Sequence, residues 1–368
     1  MIPYVEIKDK YTLKTVAMVE PQECWFELSY QDIGEFEVYC RASSANLKAL
    51  QKGRYAKIPN KRFIWVITSV RYTFSAGGTR MILAKGYEAK WLLSKRCILT
   101  PKELQGTITS AVYGLVNHAL GTGANVARKI SDNNGNNKFF VDTNDLLIDI
   151  SGTQAPRANL LEFVSSLLKQ YNCGSIVEFE NDVLKYRIFT GAVKTNSVRF
   201  SQSLDNLLSS EYLTDDTDIA TSALVVSTFD ETYTVNDVEY KRTVDYTNEV
   251  DNGATGIDRA EIVVESKLAT KYEDTNGEEK ETTPDSALYK GWQTEEGKTK
   301  LAEHITIEEI NGEIDIANSN YIFDDDFFIG DMVRVQDEYF NFFVNPRITK
   351  YTFKQDAERY GEEAEYGG

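Results

Sequence analysis

The chain has 368 residues, of which 42% are apolar and 12% aromatic; that is enough to bury cores across two or three domains and excludes a chain disordered throughout. With 40 Lys and Arg against 57 Asp and Glu, the formal net charge is −17, which argues against gripping nucleic acid by its phosphates or lying on an anionic membrane.

Residues 1–100 read as β-rich. Tyr11 to Val19, Cys24 to Leu28 and Glu35 to Cys40 are strand-like, and the last alternates cleanly behind Gly34. Ser43-Ser44 caps a short helix over Asn46 to Gln51, ended by Gly53. Arg62 to Phe74 and Thr79 to Ala84 read as a hairpin turned by Ala76-Gly77-Gly78. Helical spacing then takes over from Thr107 to Leu120, and again from Ala155 to Tyr171 with Pro156 in its first turn. Between them, residues 131–138 form a polar loop. Asn181-Asp182 predicts a hairpin between Ile176–Phe179 and Val183–Phe189.

The second half is mostly β. Ile219 to Phe229, Tyr233 to Val244 and Ile257 to Leu268 read as strands, followed by a charged loop over 273–283. Ala287 to His304 is a helix candidate. Asn311-Gly312 between isoleucines predicts a hairpin inside Ile305 to Ile316. Met332–Val335, Phe340–Val344 and Arg347–Phe353 complete the strands, and the acidic stretch after Asp356 is expected to fray.

No secretory signal is visible and no apolar run reaches spanning length, so synthesis in a cytoplasm without membrane insertion is expected. Cys24, Cys40, Cys97 and Cys173 are widely spaced and read as free thiols; His118 and His304 have no ligand-spaced partner. Several motifs start and fail. Gly297-Lys298-Thr299 ends like a phosphate loop, but Trp292 stands where the first glycine is needed. Gly121-Thr122-Gly123 lacks the third glycine of a dinucleotide turn. In Asp132-Asn133-Asn134-Gly135 and Asp274-Thr275-Asn276-Gly277 the glycine comes two positions early for a calcium loop, and Asp324-Asp325-Asp326 reads as an acidic turn. No catalytic, cofactor-binding or metal-binding residue is expected, and the chain is read as not an enzyme.

One resemblance spans most of the chain. Its residues are Trp25 to Leu28 with Gly34-Glu35-Phe36-Glu37-Val38, then Phe63 to Val70 around Trp65, then Leu83 to Arg96 with Gly86 and Trp91. Near the end come Phe327-Phe328-Ile329-Gly330-Asp331 and Arg347-Ile348-Thr349. In order, these resemble the phage tail hub family, the siphovirus Gp37-like tail proteins, and more distantly the baseplate hub of contractile tails and the N-terminal part of tail-associated lysins. The positions are structural: Gly34 and Gly86 for close turns, Phe36, Trp65 and Trp91 for core, Gly330 and Asp331 for a tight turn, Arg96 and Arg347 for ion pairs within or between subunits.

The resemblance implies an α+β, mainly β fold with two hub-type β-barrel domains and a helix-containing middle. The division would be 1–99 for the first barrel, 100–200 for the middle and 201–355 for the second barrel, with 356–368 an acidic tail. Barrel strands are free to come from either side of the insert. It further implies a virion protein at the tail tip, a homotrimer joining a hexameric tail tube or distal-tail ring to a trimeric fibre or spike. DNA would meet it only in passage, and a tape-measure protein is a further partner. The alternatives are a distal-tail ring or adhesin, and a cell-wall hydrolase. Charge fits this reading. Residues 1–100 carry 16 basic and 9 acidic side chains, net +7, leaving net −24 on 101–368. An acidic lumen would let DNA pass without sticking, with the basic quarter near subunit contacts.

Overall fold

The computed structural model describes residues 2–74, 78, 80–314, 319–337, 342–356 and 359–367. Its largest element is an antiparallel sheet of eleven strands. In chain order these are β1 (Val5–Lys8), β2 (Thr15–Val19), β3 (Glu23–Ser29), β4 (Glu35–Arg41), β5 (Tyr55–Lys57), β6 (Trp65–Phe74), β7 (Arg80–Glu88), β8 (Leu207–Asp215), β9 (Ile307–Ile314), β10 (Arg347–Gln355) and β11 (Tyr360–Gly367). In space they run β8-β9-β11-β10-β3-β4-β7-β6-β5-β1-β2.

The protein is mainly β, as expected, but none of its sheets closes into a barrel. The strand sets of the first and last parts of the chain meet along one seam, where Phe26 of β3 stands opposite Phe353 of β10 and Ser29 opposite Lys350. Apolar alternation fixes which face of a strand is buried; it does not choose the neighbouring strand or decide closure. The buried face carries Phe26, Phe36, Trp65, Tyr351 and Phe353 in one continuous core. Phe26 stacks on Phe36 at 5.3 Å and tilts against Trp65 at 4.9 Å, the offset geometries aromatic rings prefer.

A second core forms under residues 89–188. Helix α1 (Ser44–Ala49) caps the first sheet region, and α2 (Ile108–Leu120) and α3 (Leu160–Gln170) supply the second core. The Thr107 hydroxyl caps α2 by accepting from Ser110 N at 3.3 Å. Helix α3 starts later than its apolar spacing predicts. Thr153–Ala155 pairs as a strand with Lys102–Leu104, so Pro156 lies outside the helix, and the Asn159 side chain caps it, accepting from Leu161 N at 3.0 Å. The Asn181-Asp182 hairpin forms as expected, both residues at positive φ, between Gly174–Glu180 and Val183–Phe189.

A third layer consists of a long two-stranded ribbon, Ser222–Val235 paired with Val238–Asp251, with Glu261–Glu265 beside it and α4 (Ala287–Leu301) across it. The ribbon turns at Asn236-Asp237, with φ of 52° and 63°, the left-handed pair a two-residue hairpin demands. Sequence reading had broken the strands earlier, between Phe229 and Tyr233. Gly297, the stub of a failed phosphate loop, sits where α4 crosses the ribbon: a Cβ there would fall 2.5 Å from Val250 Cγ2.

Two further expectations change. Asn311-Gly312 makes no hairpin; both lie within β9, which pairs with β8 on one side and β11 on the other. A two-residue turn signal yields where both edges of a strand find partners. The acidic end does not fray: Tyr360–Gly367 is β11, held between β9 and β10, with Ala364 and Tyr366 buried and Glu363 paired to Lys354 at 2.9 Å. Alternation in Glu-Glu-Ala-Glu-Tyr served burial, and the acidic content hid it. The hairpin turn at Ala76-Gly77 and the start of the Phe340–Val344 strand lie outside the described residues. Gly297→Ala is expected to lift α4 off the ribbon at a cost of about 1–3 kcal/mol, read as a lower Tm in thermal unfolding.

Candidate assembly interface

The residues singled out by resemblance fall into three groups. In the first, Gly34 and Gly86 let backbones touch. A Cβ on Gly86 would lie 1.8 Å from the Val66 carbonyl oxygen, and one on Gly34 2.2 Å from that of Glu27. Glycine is therefore obligatory at both for reasons of space. Phe36 covers Gly86, and Trp65, fully buried, donates its indole N–H to the Glu27 carbonyl at 2.8 Å. Beneath them lies an ion pair that sequence reading missed. Glu88 and Lys90 are both 1% exposed and 3.4 Å apart. Glu88 Oε2 accepts from the Ser29 and Gly34 amides, each at 3.3 Å, and Lys90 donates to the carbonyls of Ser29 and Ser175. Burial pushes the Glu88 carboxyl up and the Lys90 ammonium down, while their mutual attraction opposes both shifts.

The second group gathers around a residue not anticipated, Tyr30. Its ring slots between Gly174 and Gly330: a Cβ on the first would fall 2.1 Å from the ring, and on the second 2.4 Å. Gly330 also holds φ at +87°. The Arg347 guanidinium lies 5.4 Å from the ring centroid and donates to the Gly330 carbonyl. Burial pushes the Tyr30 phenol up to about 12, and its hydroxyl donates to the Asn172 carbonyl at 2.9 Å. Asp331, nearly buried, accepts from Ala192 N at 2.7 Å and Phe328 N at 2.9 Å. So Gly330, Asp331 and Arg347 meet, and within the chain Arg347 serves a ring and a carbonyl.

The third group is the 3₁₀ turn Ala89–Lys95 that leads into the middle region. Trp91, half-buried, stacks on Tyr87 at 5.7 Å with Lys95 Nζ 4.2 Å from its ring. Within the chain, Arg96 Nε donates to the carbonyls of Ala119 and Arg128, each at 3.2 Å, tying the end of α2 to the loop after it.

None of these groups faces solvent as a pocket for chemistry. Among the described residues no cluster of His, Cys, Asp and Glu could hold a metal ion, and no helix is long and apolar enough to cross a membrane. The large sheet also has two open edges among the described residues. At one end, β2 pairs only with β1 and exposes Val16 and Met18, with Lys10 and Lys14 before them and Glu20 after. At the other, β8 pairs only with β9 and exposes Leu208, Tyr212 and Leu213, with Glu211 between them and Asp216 and Asp218 after. Open strand edges with exposed apolar side chains are templates for pairing with another chain.

A mainly β chain whose large sheet has, among the described residues, an open edge at either end offers strands for pairing with another chain. The chain belongs to the family described as Siphovirus ReqiPepy6 Gp37-like protein, whose family model matches residues 9–367. Among solved structures it is similar in fold to the tail protein from Neisseria meningitidis MC58, with 9% identity, TM-score 0.56, and coverage of 99% of this chain and 96% of the other. It is equally similar to the 43 kDa tail protein of prophage MuSo2 from Shewanella oneidensis, at 11% identity, TM-score 0.56, and 99% and 97% coverage. No curated protein matches the sequence.

Removing one member of the buried pair leaves the other uncompensated. Lys90→Met is therefore expected to lower stability by about 3–5 kcal/mol, and Glu88→Gln combined with Lys90→Met to recover part of that loss; denaturant unfolding of both variants measures it.

Proposed function

We propose that the chain is the hub at the tip of the tail. Three copies form a ring that joins the hexameric tail tube or distal-tail ring to a trimeric fibre or spike, and the ring forms part of the channel through which DNA leaves. The observation that carries this reading is the pair of open edges among the described residues. β2 exposes Val16 and Met18 between Lys14 and Glu20, and β8 exposes Leu208 and Leu213 ahead of Asp216 and Asp218. Because the two edges differ, the contact between neighbouring copies is head-to-tail, and a head-to-tail contact whose rotation closes after three copies makes a ring. Closure leaves no strand edge exposed. The chain carries +7 over residues 1–100 and −24 over the rest, and complementary potentials steer such encounters and fix their register. The acidic remainder would line the lumen and repel passing DNA.

The charge-bearing double variant Leu208→Lys with Leu213→Lys is expected to keep its circular dichroism spectrum and lose self-association at least tenfold. Light scattering of the unaltered chain, or an image of the virion, is expected to find three copies at the tube tip. A stable hexamer would replace this reading with a distal-tail ring.

A further inference from the structure

Residues 216–306, which carry the third layer, form one insertion. β8 and β9 pair as far as Asp215 and Ile307, and the chain leaves for the third layer and returns from it through the open end of that pair. The two crossing segments lie side by side: Ala220 N donates to the His304 carbonyl at 3.0 Å, and His304 Nδ1 lies 3.2 Å from a carboxylate oxygen of Asp218. The insertion packs cores of its own. Leu268, Tyr272, Tyr289 and Trp292 form one cluster and Ala223, Val225 and Val264 another, both apart from the core under residues 89–188.

Where the insertion meets the middle region, the apolar surfaces do not interlock. A cavity of about 160 Å³ separates them, with Phe163, Ser166 and Leu167 of α3 on one wall and Val264, Leu268 and Trp292 on the other. Protein interiors leave few voids larger than a water molecule, so this boundary is packed unlike a core. The Trp292 indole N–H is also buried without a hydrogen-bond partner among the described residues. What holds the boundary is polar. The Gln154 side chain, 2% exposed, acts as a peptide group toward Ala269: Oε1 accepts from Ala269 N at 2.8 Å, and Nε2 donates to the Ala269 carbonyl at 2.9 Å. Glu273 N donates to the Pro101 carbonyl at 2.9 Å, and the Glu273 carboxylate pairs with Lys102 at 3.0 Å. Between α3 and α4, Gln170 Nε2 donates to Glu295 at 3.1 Å, the Thr299 hydroxyl donates to Gln170 at 2.6 Å, and the Ser166 hydroxyl donates to Glu303. Such bonds exchange for bonds to water at little net cost, and two packed bodies that meet through a polar boundary move relative to one another.

We propose that residues 216–306 undock from the middle region as a folded unit, turning on the two segments beyond β8 and β9 and opening at the cavity. The motion belongs to a single copy of the chain and does not rest on the ring. In its docked position the insertion covers Phe163 and Leu167; opening bares them together with Trp292.

Hydrogen–deuterium exchange on the full chain tests this. The amides of Ala269 and Glu273 are bonded across the boundary, whereas those of Leu167 and Trp292 lie inside α3 and α4. Ala269 and Glu273 are expected to show one common protection factor, about tenfold or more below those of Leu167 and Trp292. Ser166→Ala with Gln170→Ala touches neither boundary amide's own bond, and is expected to lower protection at both by about tenfold while Trp292 keeps its own. Equal protection at all four amides in the unaltered chain overturns the proposal without need of any variant. So does a double variant that leaves Ala269 and Glu273 unchanged, since each amide would then fray by itself. Loss of protection at Trp292 in step with them overturns it too, because the insertion would then unfold where undocking is required.

Discussion

The Tyr30 ring, gripped between Gly174 and Gly330, is the contact on which the arrangement of the whole chain depends. Three distant segments reach it. Tyr30 N donates to the Thr349 carbonyl, Ser175 N donates to the Tyr30 carbonyl, and the phenol reaches Asn172. The end of β3, the middle region and the approach to β10 are thereby fixed at one point. The two glycines leave room for a ring and for nothing larger, and Arg347 closes the far side. A similar close approach recurs next to it, where a Cβ on Gly191 would fall 1.5 Å from the Gly330 carbonyl oxygen. Stability here comes from backbones allowed to touch, with a buried ring as the key.

Much of this architecture was legible in the chain, and the failures share a cause. Glu35 to Cys40 announced itself by alternation, Arg347 to Phe353 read as a strand, and apolar spacing from Thr107 to Leu120 with Gly121 as a stop marked a helix. Gly34, Gly86, Gly330 and Asp331 stood out by their place in a known order of motifs, and all sit where backbone or ring crowds the space. Tyr30, Gly174 and the Glu88–Lys90 pair carried no local signal, because the groups that enclose each of them lie far away in the chain, Gly34 for Glu88 and Gly330 for Tyr30. Local rules failed in the same way at Asn311-Gly312 and in β11, where neighbouring strands overrode a turn signal and an acidic composition. Arg96 and Arg347 show a further limit: their carbonyl and ring partners within the chain are set by the fold, and nothing local to either residue names them.

Charge asymmetry between the two ends of the chain takes on geometric meaning in the sheet. The basic first quarter and the acidic remainder do not segregate into two bodies; they interleave along one set of strands and differ at its rims, where Lys14 and Glu20 border β2 and Asp216 and Asp218 follow β8. The sheet thus presents different chemistry left and right while its middle is sealed by aromatic packing around Phe26, Phe36 and Trp65. Polarity of this kind suits a protein whose neighbours must be met in a fixed order.

The seam between β3 and β10 also sets a timetable. Phe26 and Phe353 are hydrogen-bonded neighbours in space and over three hundred residues apart in synthesis. Until β10 is made, β3 waits with one side bare, and the first seven strands form an incomplete sheet. Contacts this distant in sequence are slow to form, and unfinished edges invite the wrong partner. A nascent chain of this kind therefore gains from delay: the surfaces at its rims become trustworthy only after the ribosome has delivered the strand that completes its centre.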